Sequence, residues 1–275
     1  MNSLTLKIIA LTAMVIDHMG AAFPETFGLE FRVVGRLAFP IYVFLIAEGF
    51  FHTKNTAKFL LRLFAFAVIS EPFFDMALNG AGILDVNFFA DTNIFYTLFL
   101  GGAAVWAYQQ AHKWYSGCAP APPAASRTVA TLVAFKDMAT FMVIAFAPLF
   151  SLMWLAAVLG SDYGAYGVLF VFVMYYLRRN FATVPGTKKM RLIIFAMLCL
   201  WLHVDTILYA LDYGFGVVPV PFWLMIPATL LTVVPAALYN GKRGPGGAAV
   251  KWFFYGAYPV HLAVLAGVRL TFLQY

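Results

Sequence analysis

Apolar residues run through this chain in blocks about as long as a bilayer is thick, separated by short polar joints. A membrane-crossing helix needs roughly 20 consecutive apolar residues, and a window of that length finds about nine blocks. They fall near 4 to 23, 34 to 52, 58 to 78, 88 to 108, 138 to 160, 163 to 178, 190 to 211, 217 to 239 and 251 to 271. The pattern predicts an all-α fold, a polytopic transmembrane helix bundle forming one integral-membrane domain over residues 1–275. The first block is too long for a secretory signal and lacks a small-residue cleavage site, so it is expected to stay as a span. The stretch "SGCAPAPPAASRT" at 116–128 loses the helical pattern and is expected to be a loop on the cytoplasmic side.

Charge sets the orientation. Lys7, Lys54, Lys58, Lys113, Arg127, Lys136, Arg178, Arg179, Lys188, Lys189, Arg191, Lys242, Arg243 and Lys251 sit at or near alternate joints. The opposite joints hold Glu25, Glu30, Asp85, Asp91, Asp162 and Asp212. The positive-inside rule makes the first set, and with it the N-terminus, cytoplasmic.

Composition excludes a soluble domain. The chain is 63% hydrophobic and 11% charged, with a mean hydropathy of +0.84, whereas soluble domains carry about 25% charge. The net charge of +6 is gathered in a few joints, which reads as a topology signal and not as a surface for nucleic acid. Cys118 and Cys199 form no metal-ligand spacing and no disulfide framework, and no metal is expected.

The polar residues inside the blocks carry the chemistry. In "MVIDHMG", Asp17 and His18 lie within the first span. At 1.5 Å per residue from Lys7, His18 is about 16 Å along the helix, in the outer half of the bilayer. Arg36, Glu71, Asp75, Asn93, Thr97, Asp162, His203 and Asp205 fall in the same outer half. An ionisable side chain at the bilayer centre costs about 2.5 to 3.5 kcal/mol on insertion scales, so several together require mutual pairing or a wet cavity. Structural roles remain open for each: Arg36 as a snorkelling residue, Glu71 and Asp75 as counter-ions to Arg36 or Arg62, Asn93 as glue between helices. Toward the cytoplasmic end, Glu48, His52, Lys54 and Arg62 make a polar mouth suited to a phosphorylated, adenine-bearing ligand, or an ion pair clamping two helices. Tyr258, Pro259 and His261 break the last span, and such a break borders a cavity or simply packs.

The succession "IDHMG" at 16–20, "GRLAFPIYVFLIAEGFFHT" at 35–53, "RLFAFAVISEPFFD" at 62–75, "NIFYTLFLGG" at 93–102, "DYGAYGVL" at 162–169 and "FYGAYPVHL" at 254–262 resembles the TraX family. That family is named for the conjugation protein that acetylates the N-terminus of F-type pilin. The resemblance implies a multi-pass acetyltransferase of the bacterial inner membrane that takes acetyl-CoA from the cytoplasm. The implied acceptor is an N-terminal amine of a pilin-like peptide on the outer side, in a lipid setting and with no nucleic acid involved. Asp17 and His18 match the family's Asp-His pair, Arg36 its Gly-Arg element, Glu48 its Glu-Gly element and His261 its Tyr-Pro-x-His element; Asp162 and Tyr163 fall in the fifth motif. On this reading His18 is the base, oriented by Asp17, and Arg36 or Asn93 stabilises the oxyanion. Glu48, His52, Lys54, Arg62, Tyr258 and His261 meet the cofactor. O-acetylation of a surface glycan is the alternative within the enzyme class, and a proton-coupled secondary transporter using the same midplane charges is the alternative outside it.

Overall fold

The computed structural model describes residues 1–82, 85–118 and 126–272. All regular structure among them is helical: α1 (Ser3–Ala22), α2 (Pro24–Gly35), α3 (Ala38–His52), α4 (Thr56–Phe74), α5 (Ile94–Ser116), α6 (Arg127–Val158), α7 (Gly164–Phe181), α8 (Thr187–Trp201), α9 (Val204–Tyr213), α10 (Val220–Leu230), α11 (Val233–Ala237) and α12 (Ala248–Phe272). A π-helical turn (Asp75–Asn79) extends α4, and one 3₁₀ turn (Phe215–Val217) follows α9. Side chains set several starts. Asn2, Asn55, Asn93 and Ser126 each accept a hydrogen bond from a first-turn amide of α1, α4, α5 and α6, satisfying donors that a helix start leaves free.

Five described stretches are long and apolar enough to cross a membrane: Ser3–Ala22, Pro24–His52 taken through its break, Arg127–Val158, Val220–Ala237 and Ala248–Thr271. The pair Thr187–Trp201 and Val204–Tyr213, bent by 52°, makes a sixth. The predicted spans over α4, α5 and α7 are helical too but fall outside this set, α4 because it carries Lys58, Arg62 and Glu71, and α5 and α7 lie at the centre of the bundle. Val105, Val168, Phe170 and Val171 are fully buried there. Gly101 lets α5 approach Val171 of α7, and Gly102 faces Leu60 and Phe50; an added Cβ would lie 2.8 Å from a neighbour at either position. Close approach through small residues is how helices associate where hydrocarbon surrounds them. On the outside, α6 leaves Phe135, Phe150 and Trp154 more than 60% exposed, an apolar face that lipid and not water would cover.

The helix ends sort into two poles. At the basic pole the N-terminal amine bonds to the Leu238 carbonyl, the Ser3 amide to the Lys242 carbonyl, and Arg243 to the His52 carbonyl. At the opposite pole the Asp162 amide bonds to the Thr92 carbonyl, Thr97 to the Asp162 carbonyl, and Arg269 to the Ala77 carbonyl.

Three expectations change. Residues 24–33, expected to be an outer loop, fall within α2, which is kinked at Gly28 (φ 67°) and packs on the C-terminal half of α1; Arg36 therefore sits inside a broken helix and does not open a span. The predicted span 190–211 bends between Trp201 and Val204. The expected loop 116–128 ends in helix at Arg127, while 119–125 lie outside the described residues.

Candidate functional site

Successive residues on an α-helix point about 100° apart, so Asp17 and His18 face different neighbours. His18 turns toward α12, where its Nδ1 lies 2.7 Å from His261 Nε2. The two rings are nearly parallel, 13° apart, with centroids separated by 4.9 Å. Tyr258, one turn earlier on α12, sets its ring edge-on to both imidazoles at 5.8 and 5.4 Å, and Phe95 of α5 closes the cluster against Tyr258 at 4.9 Å. His18 is 6% exposed and Tyr258 2%.

The hydrogen bonds fix the proton positions for two neutral rings. His261 Nδ1 lies 2.8 Å from the Ala257 carbonyl. A carbonyl only accepts, so Nδ1 carries the proton and Nε2 is the acceptor. His18 Nδ1 must then donate to it, which leaves His18 Nε2 as a bare lone pair, the form a base needs. Among the described residues that nitrogen has no hydrogen-bond partner.

Asp17 does not hold His18. Its Oδ2 accepts from Arg32 Nη1 at 2.8 Å and its Oδ1 from Arg36 Nη2 at 2.9 Å. Gly35 makes this possible: a Cβ there would sit 2.0 Å from Asp17 Oδ1. The expected orienting role of Asp17 is therefore replaced by His261, and Arg36 is engaged with a carboxylate. Arg32 escaped notice in the sequence because its segment reads as an outer loop; the signal was the four-residue spacing of Arg32 and Arg36, which puts both on one helix face. Asp162 lies between α6 and α7 near this group. Burial pushes its carboxyl up to about 6, against the opposing pull of Arg36. Tyr163 stacks on Phe39 at 3.6 Å.

Glu71 and Asp75 are not counter-ions to Arg36 or Arg62. Glu71 Oε2 accepts from Asn93 Nδ2 at 2.5 Å and from the Asn93 amide at 3.1 Å, while Asn93 also donates to the Ala67 carbonyl and caps α5. Asp75 is held by Asn79 and the Asn87 amide. Thus both protons of the Asn93 amide group are committed, while Arg36 spends its Nε on the Arg32 carbonyl and its Nη2 on Asp17. Among the described residues the buried Tyr258 hydroxyl has no hydrogen-bond partner.

The basic pole departs from expectation as well. Glu48 pairs with Arg178 of α7, Oε1 to Nε at 2.5 Å, and not with Arg62; His52 stands 4.0 Å from its other oxygen. Arg62 faces the rings of Phe59 and Tyr255, and Lys54 is exposed. A cavity of about 320 Å³ opens here between α3, α7, α8 and α11, lined by Glu48, Arg178, Lys188, Arg191 and Tyr239 among others. Tyr258 and His261, grouped with this mouth in the sequence, belong instead to the His18 cluster. A second cavity of about 170 Å³ lies nearer the acidic pole, between Arg36, Tyr163, His203 and Thr229. His203 Nε2 bonds to Thr229 Oγ1 at 2.7 Å, and Asp205 is exposed and apart from it.

Apolar helices wrapped round a His–His–Tyr cluster, with His18 and Tyr258 buried, and a half-buried carboxylate–arginine group define a helical membrane protein with a polar interior. The family described as TraX protein matches residues 3–269, and the chain belongs to the TraX family. It is similar, at 29% identity over 292 residues covering 99% of this chain and 97% of the relative, to a "Probable fimbrial assembly protein FimC, serogroup H1" of Dichelobacter nodosus. No solved structure matches it significantly.

Proposed function

We propose that this protein is an acetyltransferase of the bacterial inner membrane, moving an acetyl group from cytoplasmic acetyl-CoA to the N-terminal amine of a pilin-like peptide on the outer side. The observation that carries the reading is the His18–His261 pair, whose hydrogen bonds, with both rings neutral, leave His18 Nε2 as the lone pair. Family membership and the fimbrial relative support a pilin-like acceptor. The placement of helix ends at two poles supports a single domain of nine passes, with α2–α3, α8–α9 and α10–α11 each crossing as a broken helix and the N-terminus inside.

In this mechanism His18 Nε2 takes the proton of the amine as its nitrogen bonds to the acetyl carbon; the carbon–sulfur bond of the thioester then breaks, and the proton passes from His18 to the departing coenzyme A thiolate. His261 holds the ring in the tautomer that leaves Nε2 free, as a backbone-anchored partner does for a metal-bound or catalytic imidazole. The Tyr258 hydroxyl donates a hydrogen bond to the carbonyl oxygen as negative charge develops, the part that Arg36 or Asn93 was expected to play. The Asp17–Arg32–Arg36 group fixes α2 against α1 beside the reacting end. The donor's phosphates call for cations on the cytoplasmic side, and the basic-pole cavity has them.

Mass spectrometry of surface peptides from cells with and without the gene tests the acceptor. An acetylated pilin-like N-terminus that disappears on deletion is the expected result. Loss of acetyl groups from a surface glycan, with peptide N-termini unchanged, would overturn the peptide assignment.

A further inference from the structure

We propose that the cavity at the basic pole is a phosphate site for the adenosine 3′-phosphate 5′-diphosphate end of the acyl donor, built by Arg178, Lys188 and Arg191. This rests on the acyltransferase reading and moves the donor's anchor from the α3–α4 mouth to the junction of α7 and α8.

The electrostatics of α8 point to an anion. A helix N-terminus carries partial positive charge, which favours acidic residues in its first turn and disfavours basic ones. The first turn of α8 has no acidic residue, and its start, Gly186 at φ 78°, supplies no side-chain cap. Lys188 and Lys189 fall there instead, with Arg191 immediately after. The positive-inside rule accounts for basic residues at this pole, but not for their gathering round a cavity. Arg178, Lys188 and Arg191 all line it, and the Arg191 Nε is buried with no hydrogen-bond partner among the described residues. The lining holds a single carboxylate, Glu48, which is 6% exposed and already spends one oxygen on Arg178. Three cations against one carboxylate leave the cavity short of two negative charges, a balance that phosphate groups supply through charged hydrogen bonds. Tyr239, packed against Phe44 at 5.3 Å, adds an aromatic side chain to the cavity wall.

An anionic lipid headgroup shares this chemistry, so the test separates the two sources. Coenzyme A binding to the purified protein in neutral detergent is measured by calorimetry, with adenosine 3′,5′-bisphosphate, pantetheine and phosphatidylglycerol mixed micelles as competitors. Displacement by the bisphosphate and not by pantetheine is expected. The double substitution Lys188→Gln with Arg191→Gln should weaken coenzyme A binding by about tenfold or more, as loss of charged hydrogen bonds does. Lys189→Gln, outside the cavity, should change it less than about twofold, and melting temperature in detergent checks that each variant is folded. Competition on the unsubstituted protein needs no variant at all. Displacement by pantetheine alone, displacement by phosphatidylglycerol without effect of the bisphosphate, or unaltered affinity in the folded double variant would each overturn the site. Bisphosphate-sensitive binding without any acetyl transfer would leave the site standing and remove the acyltransferase reading. Transfer that persists in the double variant with an unchanged KM would remove the site alone.

Discussion

His18 and His261 stand 243 positions apart in the chain and 2.7 Å apart in the fold, and the second ring decides what the first can do. A glutamine at 261 can reproduce both bonds, its carboxamide oxygen accepting from His18 and its amide donating to the Ala257 carbonyl; a leucine can make neither. His261→Leu should therefore lower kcat/KM by about 10 to 10³-fold and shift the pH at which the base titrates, while His261→Gln retains most of the rate and the original pH profile. Equal loss in both variants would make His261 a packing residue. The sequence did reveal that Asp17 and His18 are too costly to be incidental. It misled about their relation, because adjacency in the chain suggests a pair while the helical turn sends the two side chains to different neighbours. The same limit hid the Glu48–Arg178 pair, whose members lie 130 positions apart; nothing local marks Arg178 as more than a topology charge.

Among the elements, α1 and α2 show what local pattern conveys and what it omits. The apolar run of α1 and its Asn2 cap are legible as they stand. The α2 segment, "PETFGLEFRVVG", has too few apolar residues for a span and carries Glu25, Glu30 and Arg32, so it reads as a loop; it is helical because it folds back on α1 and delivers Arg32 and Arg36 to Asp17. Glycine spacing makes that contact possible. Gly35→Ala would push a methyl group into Asp17, and overpacking of this kind costs about 1 to 3 kcal/mol. Gly256 in α12 has nothing within 4 Å of the position an added Cβ would take, and replacing an unhindered helical glycine by alanine gains up to about 1 kcal/mol. Thermal unfolding in detergent should therefore rank Gly35→Ala below and Gly256→Ala at or above the parent. The reverse order would contradict the α1–α2 packing.

For the whole molecule, the blocks of the sequence anticipated helix for most of the described chain, since hydrophobic length is a direct consequence of bilayer thickness. The break between α10 and α11 falls between Pro227 and Pro235, residues that interrupt a helix, whereas the one between α8 and α9 lies at Leu202 and His203 with no proline or glycine to mark it and was not legible. Orientation follows from charge and is open to a direct check. In a background lacking Cys118 and Cys199, cysteines at positions 180 and 244 should be shielded from an impermeant thiol reagent in intact cells, and one at 212 should be labelled; labelling at 180 or 244 would invert the arrangement. The central claim is that His18 is the base of an acetyl transfer, and it meets its most direct test in purified protein supplied with labelled acetyl-CoA and a peptide amine. The account predicts transfer by the parent and a loss of about 10² to 10⁴-fold in folded His18→Ala. Acetyl transfer that His18→Ala leaves intact, or none from the parent alongside proton-coupled uptake, would contradict it.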